Sequence, residues 1–289
     1  MALVMAFAAA ACSRAAAGNE AAAAATPTTT DTTMTANTDT TSVKVKVETT
    51  LGTFTVLLYG DTPRHRDNFV KLVNEKYYDG TLFHRVIKDF MVQTGDPDSK
   101  NAAPGQRLGA GGPDYTLEAE IMFPKHFHKR GALAAARQGD QVNPERRSSG
   151  SQFYVVTGQK VPEAYIPNLK AQLEQSQMQA VFNGLAAQNM DRIRQLQAAG
   201  DSQGLEALRQ ELIQRTEQEV AARPMTLTPE MAQAYTTVGG APHLDGQYTV
   251  FGEVIEGMDV IDRIEKVETD AADRPREDVR IISMTVLDD

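Results

Sequence analysis

The sequence predicts a mainly β fold: a closed antiparallel barrel with capping helices, interrupted by an inserted helical hairpin. Three observations carry that expectation. Val43, Val45 and Val47 alternate with Lys44 and Lys46 before a Thr50-Leu51-Gly52 turn, and a second run at Phe54, Val56 and Leu58 follows, which is the pattern of a β-hairpin. Short apolar runs separated by Gly, Pro and Asp continue to Thr157, and many short strands with few helices favour closure. Within residues 158–235 the composition changes to Gln, Ala, Glu and Arg with few β-branched residues, which is helix-forming chemistry.

Taken in order, residues 1–12 are almost wholly apolar up to Ala9-Ala10-Ala11, which precedes Cys12, the only cysteine in the chain. The stretch is far shorter than the roughly 20 residues a membrane-spanning helix needs. Small residues followed by Cys resemble the bacterial lipobox, so acylation at Cys12 and export to the periplasmic face of a membrane are expected, with the membrane touched only through that anchor. No Lys or Arg opens the stretch, so the leader is expected to begin upstream of Met1. A lone Cys also excludes an internal disulfide framework. Residues 13–42 are Ala-rich and then Thr-rich, with no aromatic residue and no period, a composition unable to bury a core. They are expected to form a disordered tether.

The folded part is expected in two pieces, residues 43–157 and 236–289. After the hairpin, Thr62-Pro63 offers a helix start, and Phe69, Leu72 and Val73 follow at helical spacing until Tyr78-Asp79-Gly80. A second helix is expected around Met258, Ile261 and Ile264, and a last alternating strand at Ile282, Met284 and Val286. In the insertion, Leu169, Leu173, Val181, Leu185, Ile193 and Leu196 mark one interrupted amphipathic path. Leu205, Leu208 and Leu212 mark a second after the Ala199-Gly200-Asp201 break. Arg223-Pro224 ends the pair, and Thr228-Pro229-Glu230 caps a short further helix.

Charge narrows the function classes. A net charge of -9 and a pI near 5.2 argue against a phosphate-neutralising surface, so nucleic acid is not an expected partner. Gly109-Ala110-Gly111-Gly112 is followed by Pro113 with no helix start and no Lys-Ser/Thr pair, so it reads as a loop rather than a phosphate cradle. His126 and His128 lack the further ligands a metal site needs and read as surface or loop-packing residues; no metal or cofactor is expected.

The informative blocks are three. The first is Phe83-His84-Arg85-Val86-Ile87-Lys88-Asp89-Phe90-Met91-Val92-Gln93-Thr94-Gly95-Asp96. The second joins Gly131-Ala132-Leu133-Ala134-Ala135-Ala136-Arg137 to Ser149-Gly150-Ser151-Gln152-Phe153-Tyr154. The third is His243-Leu244-Asp245-Gly246-Gln247-Tyr248-Thr249-Val250-Phe251-Gly252. In this order they resemble the signature of the cyclophilin-type peptidyl-prolyl cis-trans isomerases. The resemblance implies an eight-stranded cyclophilin-like barrel capped by two helices, and activity on Pro-containing polypeptides without a cofactor.

The chemistry such a site must perform follows from the amide. Rotation about an X-Pro bond faces a barrier of about 18 to 20 kcal/mol because resonance is lost. No bond breaks, so neither nucleophile nor metal is needed. A catalyst must bind the twisted amide better than the planar one, at about 1.4 kcal/mol per tenfold in rate. It therefore needs an apolar cup for the proline ring and fixed donors for the carbonyl oxygen and imide nitrogen.

By the resemblance, Arg85 is the donor, its planar and permanently charged fork suiting the role. Phe90, Phe153 and Leu244 match the proline pocket, with Met91 beside it, and Gln93 supports the arginine. Ala136, Arg137 and Gln152 match the wall that holds residues preceding proline. His243 stands where many eukaryotic members have Trp, and Tyr248 replaces the family's pocket histidine, still able to pack and donate. His84 is expected to be structural or to touch peptide, because the reaction abstracts no proton. A different class of function is a holdase in which apolar stripes of the insertion grip clients; the alternative use of those stripes is packing.

Overall fold

The computed structural model describes residues 41–287; the expected signal and lipobox at residues 1–12 and nearly all of the expected tether lie outside them. Strands β1 (Val43–Thr49) and β2 (Gly52–Leu58) form the expected hairpin, in register from Val43 opposite Leu58 to Thr49 opposite Gly52. Its turn needs glycine. Gly52 has φ +130°, and a Cβ there would lie 2.8 Å from the Arg263 guanidinium.

Helix α1 (Pro63–Asn74) starts at the expected proline, but Thr62 does not cap it. The Thr62 hydroxyl donates to the Tyr59 carbonyl at 3.3 Å. The first-turn N–H groups of Arg64 and His65 instead donate to the Glu120 carboxylate at 3.1 and 3.0 Å, a cap supplied from a distant loop.

Six short strands follow: β3 (Arg85–Ile87), β4 (Met91–Thr94), β5 (Thr116–Leu117), β6 (Ala132–Ala135), β7 (Ser148–Ser149) and β8 (Phe153–Val156). Beyond the insertion come β9 (Val250–Glu256), α6 (Met258–Glu265) and β10 (Ile281–Leu287). The main sheet is antiparallel with eight strands in the order β10-β1-β2-β9-β6-β8-β4-β3, and β5 pairs separately with β7. Closure, expected from the strand pattern, does not occur: β3 and β10 are edges of an open half-barrel. Where they approach, only the bridge Leu82–Arg280 and loop hydrogen bonds such as Phe83 N–H to Val279 O at 2.9 Å cross the gap. A ladder cannot propagate there because the Leu82 N–H donates to Ser99 Oγ and its carbonyl accepts from Thr94 Oγ1.

Alternation sorts the sheet's side chains into two sets. One face sends Val45, Val47, Phe54, Val56, Leu133, Phe153, Val155 and Phe251 into the main core, where Phe69 and Leu72 of α1 and Ile261 and Ile264 of α6 join them. The opposite face of β4, β6, β8 and β9 carries Met91, Ala132, Ala134, Tyr154, Val156 and Val250. In β10 the expected inward Ile282 is 55% exposed, whereas Ile281 and Met284 are buried. An irregularity in the β1–β10 register between Glu48 and Thr49 switches the inward side, which strict alternation cannot foresee.

The insertion holds three helices rather than a two-helix hairpin: α2 (Ile166–Gln188), α3 (Met190–Ala199) and α4 (Ser202–Ala222), followed by α5 (Pro229–Thr237). The unforeseen break is at Asn189, whose side-chain amide donates back to the Leu185 carbonyl at 2.8 Å and ends α2. The foreseen break is where expected, with Gly200 left-handed at φ 65° and Asp201 Oδ1 accepting the Gly204 N–H at 2.8 Å. Thr228 caps α5 through the Met231 N–H at 3.2 Å. Leu169 and Leu173 of α2 pack against Met231 and Tyr235 of α5.

Candidate active site

A cleft of about 510 Å³ opens on the second face of the sheet, and register brings its walls together. Arg85 on β3 stands opposite Gln93 on β4, which stands opposite Tyr154 on β8, which stands opposite Ala134 on β6. Arg85 is 44% exposed at the side chain, and its Nε lies 3.8 Å from Asp273 Oδ2, a loose, wet contact. Gln93 is held firmly. Its Nε2 donates to Gln152 Oε1 at 3.0 Å, and Gln152 Nε2 donates to the Gly111 carbonyl at 2.7 Å. That relay needs glycine at its end, because a Cβ on Gly111 would collide with the Asp96 carboxylate.

The apolar side of the cleft is formed by Phe90, Met91, Leu244, Tyr248 and Tyr154. Arg137 lies over the Tyr248 ring with its guanidinium carbon 4.5 Å from the centroid, a cation–π contact, and its Nε donates to the Gln247 carbonyl at 2.9 Å. Ala136 completes this wall. His84 also lines the cleft. It is 5% exposed, neither ring nitrogen meets a hydrogen-bond partner among the described residues, and burial pushes its pKa below the ordinary histidine value.

Most of the site residues expected from the sequence therefore share one cleft: Arg85, Phe90, Met91, Gln93, Ala136, Arg137, Leu244, Tyr248 and His84. Three do not line it. His243 lies against Phe90 with ring centroids 5.2 Å apart and is itself exposed, and partial desolvation, then the neighbouring His128, lowers its pKa. Gln152 lines an adjoining groove of about 450 Å³ and acts on the cleft through Gln93. Phe153 is the correction. Strand alternation turns it into the main core, edge-on to Phe69 at 5.1 Å and Tyr78 at 5.5 Å, and the cleft is given Tyr154 instead. Pairing of β8 with β6 and β4 makes one face of each strand common, so period-two counting along Phe153-Tyr154-Val155-Val156 was the available signal. The rim formed by Gly105, Leu108, Asp270 and Arg274 was missed too, since loops are brought there by tertiary contacts alone.

Behind the cleft runs a buried polar chain. The Tyr154 hydroxyl lies 3.0 Å from His128 Nε2, His128 Nδ1 lies 3.0 Å from Asp245 Oδ1, and the Tyr235 hydroxyl donates to Asp245 Oδ2 at 2.5 Å. The carboxylate can only accept, so Nδ1 carries a proton and, in the neutral ring, Nε2 accepts from Tyr154. Burial raises the pKa of both tyrosines, with the Asp245 charge adding to it at Tyr235. His128 is thus buried within its loop, the loop-packing side of what the sequence suggested. It does not converge with His126, which bonds Asp61 at 2.7 Å and stacks on Tyr59.

Comparison with known proteins agrees with this geometry. The family model described as "Cyclophilin type peptidyl-prolyl cis-trans isomerase/CLD" matches residues 44–218 and 222–286. A Staphylococcus haemolyticus protein named a peptidyl-prolyl cis-trans isomerase is 31% identical over 84% of this chain and 90% of its own length. A Streptococcus pyogenes protein named a bifunctional phosphatase/peptidyl-prolyl cis-trans isomerase is 32% identical over 84% of this chain, which spans only 38% of that longer protein. In fold, a crystal structure of a cyclophilin type peptidyl-prolyl cis-trans isomerase from Cryptosporidium parvum superposes with a TM-score of 0.50 at 18% identity, covering 86% of this chain and 99% of that one. The chain belongs to the cyclophilin-type peptidyl-prolyl cis-trans isomerase family and is an enzyme of that type.

Proposed function

We propose that the cleft accelerates rotation about X-Pro bonds of unfolded or folding exported polypeptides by non-covalent preference for the twisted amide. One observation carries the reading: a guanidinium, a fixed carboxamide and an apolar floor line the same cleft. Phe90, Met91, Leu244 and Tyr248 receive the proline ring. Arg85 donates toward the imide nitrogen and carbonyl as resonance fades, and Gln93, locked by Gln152, orients the peptide on the same wall. Ala136 and Arg137 line the side where the residue before proline lies. No proton is abstracted, so buried His84 serves as wall rather than base. Of the stripe residues on which a holdase alternative would rest, Leu169, Leu173, Leu185, Ile193, Leu208 and Leu212 are buried and Val181, Leu196 and Leu205 partly so, which favours packing as their use. Export rests on the sequence of residues 1–12 and a lipid on Cys12. Membrane fractionation of the Cys12→Ala protein tests it: release into the soluble fraction supports the anchor, and unchanged partition removes it.

The site assignment is tested by titrating the isotope-labelled protein with an Ala-Pro-containing peptide and mapping amide shifts. Perturbations concentrated at Arg85, Gln93, Ala136 and Leu244 to Tyr248 are expected. Perturbations confined to the insertion or to the opposite face of the sheet contradict the assignment.

A further inference from the structure

With its apolar stripe buried, α2 turns a different stripe outward. Gln172, Gln175, Gln179 and Asn183 are all exposed and recur at intervals of three, four and four, so they form a single file along the helix. Over the eleven helical rises from Gln172 to Asn183 that file is about 16 Å long. It faces a groove of about 330 Å³ whose other wall is Asp140, Arg146 and Gln247.

This groove adjoins the catalytic cleft across one side chain. Arg137, which lines the cleft, donates to the Gln247 carbonyl and pairs with Asp140 at 2.6 Å, and Asp140 pairs in turn with Arg146 at 2.8 Å. Gln247 Nε2 reaches across to Ser176 Oγ of α2 at 3.3 Å, fixing the helix against the loop that carries Tyr248. Arg137 and Arg146 share the single Asp140 carboxylate, which leaves one net positive charge on that wall, while the facing file on α2 offers only uncharged hydrogen-bonding groups.

Gln172 Nε2 donates to the Tyr165 hydroxyl and Gln179 Nε2 to Asn183 Oδ1, and each carboxamide of the file still keeps an N–H donor and a carbonyl lone pair to spare, the complement of a peptide bond in either direction. An extended chain rises about 3.3 Å per residue, so the file spans about five residues of backbone. Resting on the isomerase reading of the neighbouring cleft, we infer that this groove is a subsite for extended, unfolded polypeptide, holding the backbone of the residues that flank the isomerised proline with little regard to their side chains. It makes α2 a device for choosing unfolded chains over short or folded segments.

The test compares two substrates, a tetrapeptide with one X-Pro bond and the same core extended with neutral polar residues to about twelve residues, enough to cover both sites. Wild type is set against Gln172→Ala/Gln175→Ala/Gln179→Ala, substitutions that favour the helix and leave the fold intact. The long substrate is expected to lose at least about fivefold in kcat/KM, chiefly through KM, while the tetrapeptide is unchanged. Equal values for both proteins on the long substrate, or an equal loss on both substrates, overturn the subsite. Fluorescence anisotropy of the labelled long peptide probes the groove through binding alone: weaker binding by the variant is expected, and equal binding overturns the proposal. A wild-type protein inactive on the tetrapeptide instead sinks the isomerase reading, and the anisotropy result then still decides the groove.

Discussion

The cleft and the helical insertion are built on opposite plans. Cleft side chains come from β3, β4, β8, the segment just after β6 and the loop before β9, and only sheet register makes neighbours of residues as distant as Arg85 and Tyr248. The insertion is contiguous in sequence, and its helices pack mainly on one another, α2 chiefly on α4 with α3 joining them. Long-range placement makes the cleft dependent on the whole core, whereas the insertion is tied to it mainly through Tyr235, Gln247 and the α5 cluster. Within the cleft a second contrast holds. Gln93, Tyr154 and Arg137 are fixed by hydrogen bonds, whereas Arg85 waits half-exposed for a substrate to exclude its water.

Core truncation should expose the contrast most strongly. Phe153→Ala removes a ring from the main core and is expected to cost about 3–5 kcal/mol by denaturant unfolding, with loss of prolyl exchange as the sheet loosens. Leu208→Ala, at a residue buried in the insertion, is expected to cost about 2–5 kcal/mol of that unit's stability, read as lost helical signal. Tetrapeptide exchange should stay within about twofold, since no transition-state contact is removed. Equal loss of activity in both variants would merge the two regions into one cooperative unit.

Asp245 is where the regions meet. Asp245→Ala strands His128 and the Tyr235 hydroxyl and is expected to cost about 3 kcal/mol, whereas Tyr235→Phe removes one bond and should cost about 1 kcal/mol. Thermal unfolding of the two checks the ordering, and a Tyr235→Phe effect as large as that of Asp245→Ala would place the whole link on α5.

Smaller still is a pH effect. Desolvation lowers the pKa of His84 and His243, so the unfolded chain takes up protons that the folded protein refuses. Their contribution is therefore intact above about 6.5, the unfolded value, and is lost as pH falls from there toward the depressed folded values. Urea midpoints between about pH 5 and 8 should fall on the acid side, and His84→Gln should flatten the slope; an unchanged slope would mean that His84 is no source of the acid sensitivity. Loss of the α5 cap in Thr228→Ala should cost about 1 kcal/mol or less, measured the same way.

The sequence's legibility divides along the same line. The strands and two capping helices were readable because alternation and helical spacing are local, and the motif blocks located nine residues that line the cleft. Phe153 was misplaced because a motif names neighbours without saying which faces outward, and Tyr154 was the outward one. The open edge was hidden because closure depends on whether Leu82 has backbone groups to spare, and Ser99 and Thr94 take them. The Asn189 break and the Asp245 chain were invisible for a related reason, since each depends on one side chain finding its partner.

Whether Arg85 carries the reaction is decided by prolyl cis/trans exchange in a Pro-containing peptide, measured by exchange NMR with the wild-type protein and Arg85→Ala side by side. Fast exchange is expected with wild type, and a drop of at least about tenfold, or about 1.4 kcal/mol, with the variant while the peptide still binds. Equal exchange rates with the two proteins would contradict a guanidinium that stabilises the twisted amide.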